Sequence, residues 1–232
     1  MTRMLASVNS LAEAKLVYQA GVDIIDLKQP EAGALGALPL ETVAQIRAWC
    51  AGSIPLSATV GDLPMQPELI GDAVQTMAST GVDYIKIGFF PGGDWPGVIT
   101  TLAAFRQHQY ALIAVLFADT HPDPAVVPTL QQAGFSGVML DTMDKSRGSL
   151  TEVMPFHAIE RFVDAAKNHN LLCGLAGSLR LEDIPVLLRC QPDYLGFRGA
   201  LCVRQQRTAN LDSEAVARIK QALPSRIAAE TA

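Results

Sequence analysis

What the chain lacks narrows it first. It has no basic excess: 18 lysines and arginines against 23 acidic residues give a formal net charge of −5 at pH 7. That balance argues against a nucleic-acid footprint, although a cationic pocket can sit inside it. Cysteine is sparse, with only Cys50, Cys173, Cys190 and Cys202, no pair in CxxC spacing and none beside a histidine at metal-ligand spacing. No metal constellation follows. Cys173 lies in an apolar run and reads as a buried thiol, and the set suits a reducing cytoplasm. No run approaches the ~20 apolar residues that span a bilayer. The opening Met1-Thr2-Arg3-Met4-Leu5-Ala6-Ser7-Val8-Asn9 is too short in apolar residues for a secretion signal. The expectation is a soluble, unprocessed, cytoplasmic protein without metal or cofactor.

What is present is a rhythm. Hydrophobic residues make up 49 % of the 232, enough for a sizeable core. Residues 3–8 form an apolar run, and Ser10 then caps a helix with Glu13 as its capping-box partner. Leu11, Ala14, Leu16 and Val17 keep helical spacing until Gly21 stops it. Further strands are expected over 24–28, 55–61, 84–88, 112–118, 137–142, 171–176 and 194–199. Helices are expected over 39–50 (Pro39 suiting its first position), 68–80, 94–107, 123–133, 156–168, 181–190 and 212–223. Gly21-Val22-Asp23, Gly81-Val82-Asp83 and Gly134-Phe135-Ser136-Gly137 each punctuate a helix end before a strand.

Strands that read as continuous apolar runs are covered on both faces, and strict strand–helix alternation implies a parallel sheet. Eight such units in this length match a single-domain α/β fold, the (β/α)₈ TIM barrel, over residues 1–223, with 224–232 as a flexible tail. An open doubly wound sheet is the alternative, disfavoured because no GxGxxG turn follows the first strand.

In such a barrel the chemistry sits at the C-terminal ends of the strands. Lysine is scarce: of Lys15, Lys28, Lys86, Lys145, Lys167 and Lys220, two lie inside apolar strands and Lys145 lies just past one. Asp26 and Lys28, two apart on one strand, project from the same face. Two structural ion pairs, Lys28 with Asp26 and Lys86 with Asp141, are one reading. The other is catalysis: a desolvated lysine near other cations has a lowered pKa and can attack a carbonyl, while carboxylates move protons.

The loops after the last two strands, Ala176-Gly177-Ser178 and Arg198-Gly199-Ala200, offer backbone N–H groups. An arginine fork there adds to a phosphate site built on Gly177, Ser178, Arg198 and Gly199; the alternatives are a tight turn at Gly177 and a surface salt bridge at Arg198. Asn9, Ser57, Thr59, Asp62 and Thr142 also fall at strand ends. Asp119 and His121 read equally as proton-transfer groups or as a polar loop. His108, His157 and His169 sit on or beside helices as solvated side chains, and Trp49 and Trp95 as packing residues.

Six segments carry a family resemblance: Asp26-Leu27-Lys28-Gln29-Pro30, Ser57-Ala58-Thr59-Val60-Gly61-Asp62, Asp83-Tyr84-Ile85-Lys86-Ile87-Gly88, Met139-Leu140-Asp141-Thr142, Leu175-Ala176-Gly177-Ser178 and Arg198-Gly199-Ala200. In that order and over nearly the whole chain, the sequence resembles the (5-formylfuran-3-yl)methyl phosphate synthase family. The resemblance implies a metal-free, class I aldolase-like barrel. It would join two molecules of glyceraldehyde 3-phosphate into a furan phosphate on the route to methanofuran-type one-carbon carriers. It places the Schiff base on Lys28, assisting lysines on Lys86 and Lys145, and acids on Asp26 and Asp141.

The competing expectations are another class I aldolase or sugar-phosphate isomerase, and a non-catalytic sugar-phosphate-binding barrel. A small phosphorylated substrate, no nucleic acid, no membrane and a homo-oligomer assembled through the outer helices complete the expectation.

Overall fold

The computed structural model describes residues 1–107 and 110–224. His108 and the tail beyond Pro224 lie outside the described residues. Eight parallel strands close into a barrel in sequence order: β1 (Arg3–Val8), β2 (Ile24–Leu27), β3 (Leu56–Thr59), β4 (Tyr84–Phe89), β5 (Ala111–Phe117), β6 (Gly137–Asp141), β7 (Leu172–Leu175) and β8 (Tyr194–Phe197). The last strand closes on the first with Leu5 opposite Gly196. All eight runs expected as strands are strands. Among the described residues no helix is long and apolar enough to cross a membrane.

The helices follow the expected alternation with local changes. They are α1 (Leu11–Gln19), α2 (Leu40–Cys50), α3 (Pro67–Ala78), α4 (Trp95–Ala103), α5 (Val126–Gln132), α6 (Leu150–Val153), α7 (Phe156–Asn168), α8 (Ile184–Leu188) and α9 (Ser213–Ala222). The helix expected over 94–107 tightens into a 3₁₀ turn after Ala103. That expected over 123–133 starts late, because Pro124 disfavours helical geometry at Asp123 and the Asp123 carboxylate accepts from the Ala125 N–H. The segment expected as helix 181–190 splits into a 3₁₀ turn and α8, with the Asp183 carboxylate drawn to Ser149 and Thr151 across the loop. The connection after β6, where no helix is expected before 156, contains α6, which Ser149 and Glu152 cap reciprocally.

Strand residues alternate between two hydrophobic shells. Met4, Ala6, Val8, Ile25, Leu27, Ile85, Ile87, Leu140 and Leu195 face the helices. Leu5, Ile24, Ile113, Val115, Phe117, Met139 and Tyr194 fill the barrel. The inward positions of β2 are therefore Ile24, Asp26 and, just past its end, Lys28.

The repeated Gly-Val-Asp punctuation has a mechanical reason. Gly21 and Gly81 take φ of +72° and +77°, ending a helix where a side chain would strain. The valine buries, and the aspartate caps the neighbouring strand: Asp23 accepts from Met4 N–H and Asp83 from Leu56 N–H, both at 2.8 Å. Asp193, before β8, does the same for Cys173 N–H at 2.7 Å.

One side of the barrel mouth is plugged. The loop after β2 folds inward, seating fully buried Leu35 and Ala34 against Phe117 and Phe90. Asp62 holds that loop by accepting from the Ala34 and Leu35 N–H groups, each at 2.7 Å. Gly88 makes room for it: a Cβ there would lie 2.8 Å from a Leu35 methyl and 2.6 Å from the Phe90 ring. The opposite side of the mouth, over β6 to β8, stays open.

Deeper in the barrel the bulk comes from Tyr194. A Cβ on Gly174 would stand 2.2 Å from its ring. Gly174→Ala is expected to destabilise the fold by about 1–3 kcal/mol through overpacking. A urea melt measures it; an unchanged midpoint would refute this account of the barrel interior.

Candidate active site

The floor of the open side is a set of charges inside the barrel. Asp26 is fully buried on β2. Its carboxylate accepts from Ser7 Oγ at 2.7 Å, Ser57 Oγ at 2.6 Å and Lys86 Nζ at 2.9 Å. The ladder brings these donors together, with Ser7 opposite Asp26 on β1 and Ser57 opposite it on β3. Lys28 stands one inward step higher, with Nζ 3.6 Å from Asp141 Oδ2 at the end of β6. Lys145, on the loop after β6, binds the other oxygen of Asp141 and the Thr142 carbonyl. The expected pairs are thus exchanged: Lys86 belongs to Asp26, and Lys28 to Asp141. Lys86 and Asp26 are 60 residues apart in sequence, and only barrel curvature decides which strand positions meet.

Burial is the largest influence on Lys28 and pushes its pKa down to about 8. Asp141 pulls it back up, Lys145 and Lys86 push it down again, and Asp26 opposes them. At pH 7.5 such an amine is neutral in roughly a quarter of molecules, against about one in a thousand for an ordinary lysine. Burial also pushes both carboxylates up, but the ammonium groups more than offset it. Lys86, Lys28 and the Ser57 hydroxyl hold Asp26 below the usual carboxylate range, and Lys145 and Lys28 hold Asp141 far below it. Both are anions at neutral pH.

Above this floor opens a cavity of about 310 Å³. Lys28, Lys86, Asp141 and Lys145 line it; Asp26 does not reach its wall. The loops after β7 and β8 form the far side. Gly177 takes φ of +105° and packs so closely that a Cβ would lie 2.9 Å from Thr142 N, and Ser178 follows at φ +48°. Among the described residues, the N–H groups of Gly177, Ser178, Gly199 and Ala200 make no hydrogen bond to the protein. Successive free N–H groups of this kind form an anion cradle.

The Arg198 side chain departs from expectation. Its Nε donates to the Arg207 carbonyl, Nη1 to the Ser7 carbonyl and Glu13, and Nη2 to Glu13 and the Ala209 carbonyl. With all its N–H groups engaged, it ties the β8 loop to β1 and α1 and has no fork left for phosphate. Glu13 is diverted in turn. Ser10 accepts from Glu13 N–H as expected, but the Glu13 carboxylate takes the Asn9 N–H and Arg198 in place of the Ser10 N–H.

Other strand-end residues lie outside the cavity. Asp119 accepts from the Met143 and Asp144 N–H groups, each at 2.8 Å, and so fixes the loop that carries Lys145. His121 faces a separate cleft with His157 and Arg161. Thr59 donates to the Gly36 carbonyl, steadying the plug. The tryptophans pack edge-on, Trp49 against Tyr18 and Trp95 against Phe89. Sequence reasoning missed Ser7, Leu35 and Arg207, which have no motif around them. Arg207 lines the cavity and donates to the Gly33 carbonyl at 2.8 Å. Among the described residues no group of histidine, cysteine and acidic side chains is arranged to hold a metal ion.

Comparison with known proteins shows the family. The 4-HFC-P synthase family model matches residues 4–220. A Methylorubrum extorquens protein, named provisionally as a (5-formylfuran-3-yl)methyl phosphate synthase, is 44 % identical over 221 residues, covering 95 % of this chain and 91 % of its own. The (5-formylfuran-3-yl)methyl phosphate synthase of Methanocaldococcus jannaschii is 32 % identical over 231 residues, covering 94 % and 98 %. Among solved structures, phosphoribosyl anthranilate isomerase from Thermus thermophilus superposes with a TM-score of 0.68 at 14 % identity, covering 95 % and 98 %. That last likeness is one of fold alone.

The Lys28 environment is measurable. Its half-maximal acylation, followed by mass spectrometry of the Lys28 peptide, is expected near pH 8, against ~10.4 for an exposed amine. Asp141→Asn removes the anion that raises Lys28 and should move its midpoint lower. A wild-type midpoint above pH 10 would refute the desolvation account. By linkage, the unfolded chain binds the proton that folded Lys28 has lost between about pH 8 and ~10.4, so this group's contribution to stability rises with pH across that window.

Proposed function

The chain belongs to the 4-HFC-P synthase family, and on that footing we propose that it joins two molecules of glyceraldehyde 3-phosphate into (5-formylfuran-3-yl)methyl phosphate through an imine on Lys28. It would then act as a carbon–oxygen lyase on phosphates, in the making of a methanofuran-type cofactor. The observation that carries the reading is the Lys28 amine. Its pKa is lowered to about 8, and it lies 3.6 Å from a carboxylate at the base of a cavity edged by unbonded peptide N–H groups.

The chemistry balances. Two triose phosphates less one phosphoric acid and two waters have the composition of the furan aldehyde phosphate. Neutral Lys28 adds to the aldehyde carbon of the first triose, and loss of water gives the protonated imine. A base removes the α-proton, and the electron pair flows to the imine nitrogen to give an enamine. The enamine expels phosphate from C3 of the same triose, and the terminal carbon of the enol so formed adds to C2 of the second triose in its ketose form, whose carbonyl oxygen takes a proton. Closure of the ring with loss of two waters leads to an aromatic furan, which pulls the late steps forward. Hydrolysis frees Lys28 and returns the water lost in forming the imine.

Position suggests the division of labour. Asp141 is the carboxylate on the cavity wall beside Lys28, which suits it to carry protons. Lys145 holds Asp141 in place and keeps it ionised between transfers. Lys86 is a fixed positive charge below Lys28, suited to meeting negative charge that develops on oxygen. Asp26, cut off from the cavity and holding Lys86, acts as a positioning residue. The cradle of Gly177, Ser178, Gly199 and Ala200 suits the phosphate of the imine-bound triose.

Incubation with glyceraldehyde 3-phosphate alone tests the reading. A furan chromophore should grow in the ultraviolet with one phosphate released per furan. Borohydride should freeze the imine onto the Lys28 peptide. Lys28→Ala should abolish trapping and lower turnover by about a thousandfold or more. Isomerised triose or a reversible aldol product without furan would assign the site to a sugar-phosphate isomerase or another class I aldolase. Retained binding, no turnover and indifference to Lys28→Ala would leave a sugar-phosphate-binding barrel.

A further inference from the structure

Among the described residues six cationic side chains line the cavity: Lys28, Lys86, Lys145, Arg180, Arg198 and Arg207. Five have a carboxylate partner within the protein. Lys28 and Lys145 share Asp141, Lys86 holds Asp26, Arg180 reaches Glu152, and Arg198 is bound by Glu13. Arg207 has no ion-pair partner among the described residues. Its guanidinium makes one hydrogen bond, from Nη2 to the Gly33 carbonyl, leaving four of its five N–H groups for something else. Asp62, whose charge acts on Arg207, is occupied by the Ala34 and Leu35 N–H groups, and Asp141 by the two lysines.

The placement of Arg207 is built. Its carbonyl accepts from Arg198 Nε at 2.8 Å, so the fully engaged Arg198 anchors its backbone. Its side chain then runs from the loop after β8 to Gly33 on the loop after β2. The guanidinium therefore meets the loop after β2, whereas the peptide cradle belongs to the loops after β7 and β8. Burial pushes the Arg207 pKa down, the direction expected of a cation drawn from water without a counter-ion in contact.

A reaction between two triose phosphates brings two dianionic groups into a cavity of about 310 Å³. Like charges of that size repel, and one cradle cannot serve both. We propose that Arg207 binds the phosphate of the second triose, the one that accepts the new carbon–carbon bond. This rests on the synthase reading. Its consequence is specificity: the planar fork of Arg207 selects a phosphorylated acceptor over an unphosphorylated one.

Arg207→Ala and Arg207→Lys test it by separating the two substrates. In Arg207→Ala, borohydride trapping of Lys28 should keep its half-saturating triose phosphate concentration within about twofold. The concentration needed for half-maximal furan formation should rise about tenfold to a hundredfold. The preference for glyceraldehyde 3-phosphate over glyceraldehyde as acceptor should fall in the same proportion. Arg207→Lys, which keeps the charge without the fork, should lie between. It also serves as the test if the alanine variant melts below the assay temperature. Equal losses in trapping and furan formation would overturn the proposal by placing Arg207 on the imine-bound triose, and no change in either would overturn it outright. If the wild-type protein neither traps nor forms furan, the synthase reading fails first and the proposal with it, a result distinct from any difference among variants.

Discussion

The constraint on which the site depends is the burial of ammonium groups inside a parallel barrel. Lys86 and Asp26 lie 2.9 Å apart with essentially no exposure of either side chain. Attraction across so short a gap offsets the loss of water only if the remaining hydrogen-bonding capacity is met, and Ser7 and Ser57 meet it on Asp26. A hydrophobic pair would pack there at least as stably, whereas removal of one partner leaves an uncompensated charge and costs about 3–5 kcal/mol. The pair therefore contributes little to folding that leucine would not. What it contributes is a fixed positive charge beside Lys28, which together with burial keeps that amine within reach of its neutral form.

The same economy of carboxylates shapes the mouth of the barrel. Asp26 and Asp141 turn inward to the lysines, while Asp62, Asp119 and Asp183 clamp loops through backbone or side-chain donors. Asp62 pulls the Leu35 plug over one half of the mouth, and Asp119 sets the loop that delivers Lys145. The open half faces the glycine loops after β7 and β8. An apolar plug closes one half of the mouth, and free peptide N–H groups edge the cavity in the other. Arg198 and Arg207 divide the cationic work, the first bracing the β8 loop and the second left exposed to the cavity by that bracing.

Much of this was legible from residue order. Continuous apolar runs separated by helical periodicity identify parallel strands because helices cover both faces of each strand. The Gly-Val-Asp repeats could be seen as punctuation, though not that each aspartate caps the strand before it. Lys28 and Asp26 are two apart on one strand and so must share a face. The helix expected over 181–190 splits because Pro185 has no N–H to continue the first turn and because Asp183 bonds Ser149 and Thr151, more than thirty residues away in sequence.

By itself the sequence determined the barrel, the strand on which each charged residue sits and the face to which it points, because strand pleat and helix period are local properties of the chain. Only the tertiary structure decided which charge meets which. Lys86 takes Asp26 and Lys28 takes Asp141 because a closed barrel brings residues together by curvature and stagger, which no local pattern encodes. It likewise decided that Arg198 is fully bound and Arg207 is not, since the acceptors that separate them, Glu13, Ser7 and Gly33, lie at the other end of the chain.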